Sequence, residues 1–472
     1  MGRVHDQVGR DMTPTEGADA PYTDGFFVGL AANDQLPAVF WRGQELTYRE
    51  LLSRVEEWTP ILDRAGITAG TVCAYVADFW PHATALGLAL MRRRAVVVPF
   101  SPAVTHEIPA LCDIAAVEHL FTLTADGDYQ GEPRPVTAPH PIVEAFRATG
   151  HPGAIVFTSG SSGRPKGILH DFEKLLAKFQ TRRRSFRTLM FLLPDHLGGI
   201  NTLLSVLANG GTCVVAENRS IDQVVRVVEQ ARVELLPVTP ALLSLLLSSG
   251  AASGADLSSV RLITYGTDAM HEATLRAAVA AFPQAKFKQT YGLSEVGVLH
   301  SESPDETSTR VRIGGHGFET RIVEGVLHIR SHSSMVGYLN APSPFDADGW
   351  LNTGDAVLLD GDALRILGRE SDLINVGGQK VFPAEVENVL LQDANVVDVT
   401  VSGERHPLMG SVVVARVQLR KHEEPLALRQ RLRRFCLERL APFKVPVKFR
   451  AVAEVQISDR FKKTRRLEGD TE

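Results

Sequence analysis

Short apolar runs alternate with longer amphipathic stretches over the first two thirds of the chain. From Ala38 the segment AVFWRG predicts a strand, and LTYRELLSRVEEWTPILDRAG repeats its large apolar residues at helical spacing. TVCAYVA then predicts a buried strand, PHATALGLALMRR a helix and AVVVPF another strand. The pattern resumes after a glycine-rich loop: HDFEKLLAKFQTRR as helix, TLMFLLP as strand, an apolar helix near INTLLSVLANG, then TCVVA, IDQVVRVVEQAR and VELLPV. Such alternation is the mark of an α/β fold built on mostly parallel sheet. From Val311 the strands shorten and turns multiply, as in TRIVEGVLHIRS, which suits antiparallel pairing. Beyond a shift at Arg369 to Asp372, about 100 residues read as a compact α+β unit. The expected division is a loose tail at 1–25, a large domain at 26–370 and a small C-terminal domain at 371–472.

Composition narrows the picture little. The 472 residues are 44% hydrophobic and 22% charged, ordinary for a globular chain, and the net charge of -5 argues against a broad basic field for nucleic acid. The arginine clusters at Arg92 to Arg94 and Arg182 to Arg184 read as solvated helix ends or faces. Cys73, Cys112, Cys213 and Cys436 lie far apart without CxxC spacing, which suits a reducing compartment and offers no metal site. No apolar run follows the basic start, and Val72 to Met91 is interrupted by Asp78, Pro81 and His82. Neither a signal peptide nor a membrane span is therefore expected, and a cytoplasmic location is.

Chemistry concentrates in AIVFTSGSSGRPKGILH. Apolar Ala154 to Phe157 predict a strand; the loop TSGSSGRPKG, Thr158 to Gly167, follows, and a helix is expected after it. Gly160 and Gly163 permit positive φ, so successive N–H groups can converge on an anion. Thr158, Ser159, Ser161 and Ser162 add hydroxyl donors, and Lys166 adds positive charge. The loop is not a Walker motif: Pro165 stands where that pattern needs glycine, and Gly167 where it needs Ser or Thr.

This loop resembles the signature of the adenylate-forming superfamily, which includes acyl- and aryl-CoA synthetases, nonribosomal peptide adenylation domains and luciferase. Three further stretches match in order, so the resemblance spans about residues 38 to 466. In QTYGLSEVG at 289–297, it implies Tyr291 stacking on adenine, Gln289 near the adenine amine, Gly292 in the same turn, Ser294 near the α-phosphate and Glu295 holding Mg²⁺ with Ser294 beside it. In LNTGDAVLLDGDALRILGRESDLINVGGQKVFPAEVE at 351–387, it implies Asp355 on the ribose hydroxyls and Arg369 on ribose or phosphate. Ser371 stands where many relatives carry Asp or Lys, leaving the hinge between Ser371 and Asp372. In ISDRFKKTRR at 457–466, the essential lysine falls at Lys463, with Lys462 where glycine is usual.

The resemblance also implies a distorted β-barrel in the large domain and a mobile small domain. LLPDHLGGI at 192–200 resembles the stretch beside the substrate carboxylate; His196 fits that place, and Asp195 fits it if an ammonium is held instead. Gly266, in ITYGTDAM, is expected in the loop lining adenine and substrate. The VGGQKVFPAEVE segment is closer to acyl- or aryl-CoA ligases than to amino-acid adenylation domains. The implied activity uses ATP and Mg²⁺ to convert a small carboxylic acid into acyl-AMP. The acyl group then passes to the thiol of CoA or of phosphopantetheine on a carrier protein acting in trans. The rivals are an amino-acid-activating or amide-forming enzyme and, from another class, an inactive adenylate-binding homologue.

Overall fold

The computed structural model describes residues 5–6, 21–136, 138–159, 164–252, 254–305, 307–315 and 317–453. It shows the expected α/β class: two sheets of mainly parallel strands, a partly curled antiparallel sheet, and a smaller C-terminal unit. The first sheet has strand order 337–338, 165–171, 153–159, 96–100, 72–76, 119–123, 129–133. Its central strands run parallel, so both faces must be covered, and Val72–Val76 and Val96–Phe100 are buried along their whole length. The second sheet runs 286–289, 262–265, 235–238, 187–189, 212–215, 37–41, 44–47, parallel except at its last pair.

Helix Tyr48–Arg64 shows how local sequence feeds this packing. Thr47 accepts from the Glu50 backbone N–H while the Glu50 carboxylate accepts from that of Thr47, a reciprocal cap that defines the helix start. Leu51, Val55, Trp58 and Leu62 then fall on one face and are buried. With helix Pro81–Arg92 they form a core that includes Val39 and Trp41 of one sheet and Cys73, Tyr75 and Val97 of the other. Thiols in this setting are pushed well above their ordinary range by burial, and all four cysteines are free.

Two elements depart from the expected pattern. Tyr22–Ala32 is a helix, and its uncapped N-terminus is completed from elsewhere: the buried Glu173 carboxylate accepts from the backbone N–H of Tyr22 and Thr23. The residues after the glycine-rich loop form a strand, Pro165–Asp171, antiparallel to Gly153–Ser159; helix follows only at Phe172–Leu176. Ile168, Leu169 and their neighbours to Asp171 are buried consecutively between packed layers, which a solvent-facing amphipathic helix could not achieve.

The antiparallel sheet includes Arg310–Ile313, Phe318–Val323, Val326–Ser331, Leu351–Asp360 and Ala363–Arg369. A single 3-10 turn, Glu370–Asp372, leads into the C-terminal unit, which has its own core around Val386, Val399, Val417 and Leu432. Among the described residues no helix is long and apolar enough to cross a membrane.

The two parallel sheets are also joined by a charge pair. Asp78 follows strand Val72–Val76, and Arg219 follows strand Thr212–Val215. Arg219 donates to both Asp78 oxygens, one contact at 3.0 Å, and its Nε donates to the Phe191 carbonyl at 2.7 Å. Their side chains are only 16% and 13% exposed, so removing one partner strands a buried charge. Arg219→Met is expected to cost about 3–5 kcal/mol, read as a lower midpoint in urea unfolding followed by fluorescence. An unchanged midpoint would show that the pair does not hold the sheets together.

Candidate active site

The glycine-rich loop sits at the tip of the 153–171 hairpin. Thr158 is the cross-strand partner of Lys166, and Ser159 that of Pro165. Gly160, Ser161, Ser162 and Gly163 lie outside the described residues. Segment 335–340 braces the emerging strand. The backbone N–H of Val336 donates to the Leu169 carbonyl at 2.7 Å, and that of Leu339 to Gly167 at 2.8 Å. The Asn340 side chain accepts from Gly167 N–H at 3.0 Å and donates to the Pro165 carbonyl at 2.8 Å.

The same segment holds the second motif. Met335 N–H donates to the Glu295 carbonyl at 2.8 Å, and the buried Tyr338 hydroxyl donates to the Glu295 carboxylate at 2.6 Å. The Lys166 ammonium lies 5.1 Å from the Tyr338 ring centre. Buried His170, in the same strand as Lys166, hydrogen-bonds to the backbone of Ser294; burial pushes it down to about 4 and keeps it neutral.

Tyr291 and Asp355 form the adjoining cluster. Strands Tyr291–Leu293 and Gly297–Leu299 make a tight hairpin in which a Cβ at Gly292 would stand 2.7 Å from the Gly297 carbonyl oxygen. The Tyr291 hydroxyl donates to Asp355 at 2.5 Å, and Arg369 lies 3.0 Å from the other Asp355 oxygen. Asp355 and Arg369 are direct cross-strand partners in the 351–369 hairpin, which explains their meeting. Burial raises the Asp355 carboxyl above its ordinary range, while Arg369 and then Tyr291 pull it back. Glu295 acts on the same carboxyl, and Arg369 acts on Tyr338, so both clusters share one electrostatic neighbourhood.

Gln289 ends the strand Lys286–Gln289, paired with Tyr265. Its backbone is held by Ser301 and Ser303 hydroxyls, yet its buried Oε1 has no hydrogen-bond partner among the described residues. Gly266 follows Tyr265 and passes so close to Thr290 that a Cβ there would meet its Oγ1 at 2.5 Å. On the acid side, His196 occupies the N-cap position of helix Leu197–Ala208 and is partly exposed. Asp195 is buried, and its charge is felt by Tyr75 alongside that of Asp78. Ser371 and Asp372 share the 370–372 turn, whereas Lys462 and Lys463 lie outside the described residues.

Sequence reasoning overlooked Tyr338, Asn340 and His170. The only local signal was GYLN after a serine-rich stretch, and its meaning depends on strand pairing with 165–171. The assembled residues suit a nucleotide. The orphaned Gln289 oxygen can accept an adenine amine, and each Asp355 oxygen has lone-pair capacity beyond its present partner. They also suit Mg²⁺ in the manner of a phosphate-borne ion. Among the described residues no cluster of three or more His, Cys, Asp or Glu could hold a metal alone, but Glu295 is a partly exposed carboxylate with one oxygen taken by Tyr338.

Comparison with known proteins agrees with this geometry. A family model described as AMP-binding enzyme matches residues 28–339, and one described as AMP-binding enzyme C-terminal domain matches 385–465. The chain is 29% identical to 4-coumarate–CoA ligase 1 of Arabidopsis thaliana over 57% of its own length and 54% of that protein's. It is 26% identical to the fatty acid–[acyl-carrier-protein] ligase ScoC of Streptomyces coeruleorubidus over 89% and 90%. It thus spans about half the length of the first relative and nine tenths of the second. Among solved structures, the amide bond synthetase McbA of Marinactinospora thermotolerans superposes with a TM-score of 0.75 at 24% identity, over 94% of this chain and 98% of that one, a likeness of fold. With family models covering most of its length and its motifs gathered at one site, the chain belongs to the AMP-binding enzyme family, the adenylate-forming superfamily, near the acyl- and aryl-CoA ligases.

Proposed function

We propose that this chain activates a small carboxylic acid with ATP as acyl-AMP, releasing pyrophosphate, and then passes the acyl group to the thiol of CoA. The observation that carries the reading is the convergence of separate motifs: Lys166 over Tyr338, Tyr338 on Glu295, and Asp355 between Tyr291 and Arg369. In this reading Tyr291 stacks on adenine, Gln289 accepts its amine, Gly266 lets the base approach, and Asp355 with Arg369 holds the ribose. Thr158 to Gly163 and Lys166 receive the β- and γ-phosphates. Ser294 faces the α-phosphate, and Glu295 would hold Mg²⁺, whose charge offsets that of the phosphates when bound.

A carboxylate oxygen beside His196 attacks the α-phosphorus, the α–β anhydride bond breaks, and pyrophosphate leaves. No protein nucleophile is needed; the work is positioning and charge neutralisation. Lys463 would bridge the carboxylate and α-phosphate. The C-terminal unit, 371–472, would then turn about Ser371, bringing the 377–378 glycines to the site. The thiol attacks the acyl carbon there and AMP departs. A carrier-borne phosphopantetheine is the alternative acceptor, favoured by the match to the carrier-protein ligase over nine tenths of its length.

Pyrophosphate exchange across a panel of carboxylic acids tests the first half, and thioester detection with CoA or a pantetheinylated carrier identifies the acceptor. Exchange with no acid, while ATP still binds, would leave only an adenylate-binding homologue. Lys463→Ala is expected to lower exchange by about 10²–10³ with ATP binding still measurable by calorimetry. Tyr338→Phe frees the Glu295 oxygen and should slow adenylation about tenfold; unchanged exchange would make that hydrogen bond incidental. Ser371→Pro should suppress thioester formation yet spare exchange, and equal loss of both would remove the hinge from that residue.

A further inference from the structure

One cation beside this site has no part in the scheme above. Lys178 lies in the 3-10 turn Ala177–Phe179, directly after helix Phe172–Leu176. Its ammonium donates to the Val298 carbonyl at 3.2 Å. Val298 is the cross-strand partner of Gly292, next to Tyr291, and its strand packs against helix Leu197–Ala208, at whose start His196 stands. Lys178 therefore touches the strand that joins the adenine residue to the helix of the acid side.

Besides that carbonyl, the ammonium lies 5.2 Å from the centre of the adjacent Phe179 ring, and neither partner carries a charge. Lys178 is partly buried, and among the described residues no Asp or Glu forms an ion pair with it. Burial first, and then the charge of Arg183, push its ammonium down to about 8. Burial and Arg183 act the same way on the half-buried Lys288, with Glu302 opposing. Arg183 is exposed, so the sheltered cations here are Lys178 and Lys288, with the charge of Glu302 acting on Lys288. An arrangement of this kind is costly unless an anion completes it.

Resting on the function proposed above, we propose that the acid is a dicarboxylic acid, one carboxylate reacting at the α-phosphate and the other pairing with Lys178. The test compares diacids of graded length, aliphatic and aromatic, with their monomethyl esters in pyrophosphate exchange. At least one diacid is expected to exceed its ester about tenfold in kcat/KM, as a charge-assisted hydrogen bond allows. Lys178→Gln, which keeps a donor for Val298, should bring that ratio near one by raising KM for the diacid, with the ester unaffected. Lys178→Arg should preserve the preference.

Wild-type exchange with monoacids or esters but not diacids would overturn this inference and leave the proposed function standing. Equal loss for diacid and ester in Lys178→Gln would also overturn it, assigning the residue a purely structural role. No exchange with any acid would overturn both. A thermal melt of each variant separates these outcomes from failure to fold.

Discussion

Segment 335–340 is the tie on which the site depends. A glycine- and serine-rich loop has no packing of its own, so its position must come from its neighbours. Here the strand leaving the loop is bonded through Leu169, Gly167 and Pro165 to Val336, Leu339 and Asn340. The same six residues reach Glu295 through its carbonyl and its carboxylate. Two motifs more than a hundred residues apart in sequence are thereby held in one frame, and main-chain hydrogen bonds of this kind set position far more sharply than apolar contact does.

Around that frame, charge is arranged to remain useful when partly dry. Asp355 is buried, which disfavours its ionised form, but Arg369 and the Tyr291 hydroxyl favour it. Glu295 is treated differently: it stays partly exposed, with one oxygen restrained by Tyr338. One carboxylate is thus rigid and preorganised to accept hydrogen bonds, and the other is open toward a hard cation and phosphates. His170 completes the setting by remaining neutral in the wall between the hairpins, where a further positive charge would be costly.

Much of this was legible before any coordinates. The mostly parallel α/β class followed from apolar runs separated by helix-length amphipathic stretches, since each such run must be covered on both faces; the division into two sheets did not. The Asp355–Arg369 contact was not legible: a regular hairpin turning at Gly361 would set Asp355 opposite Gly368, and the register shift between Ala356 and Val357 is what brings Arg369 opposite it. What misled the reading was local. The stretch after the loop looked like a route to a helix, but it is the return strand of a hairpin, stabilised by neighbours in the sheet that no local window contains.

The sequence by itself determined the chemistry available: a hydroxyl- and glycine-rich loop with Lys166, a tyrosine followed four residues later by a carboxylate, and an aspartate and an arginine within one later stretch. Those are properties of residue type and short spacing, which local rules govern. Only the tertiary structure decided that Tyr338 and Asn340 belong to the site, that Asp195 is buried while His196 stands at the start of a helix, and that Lys178 reaches Val298. Each of these depends on contacts between segments far apart in the chain. Their energies come from burial and pairing, which exist only once the sheets have closed around them.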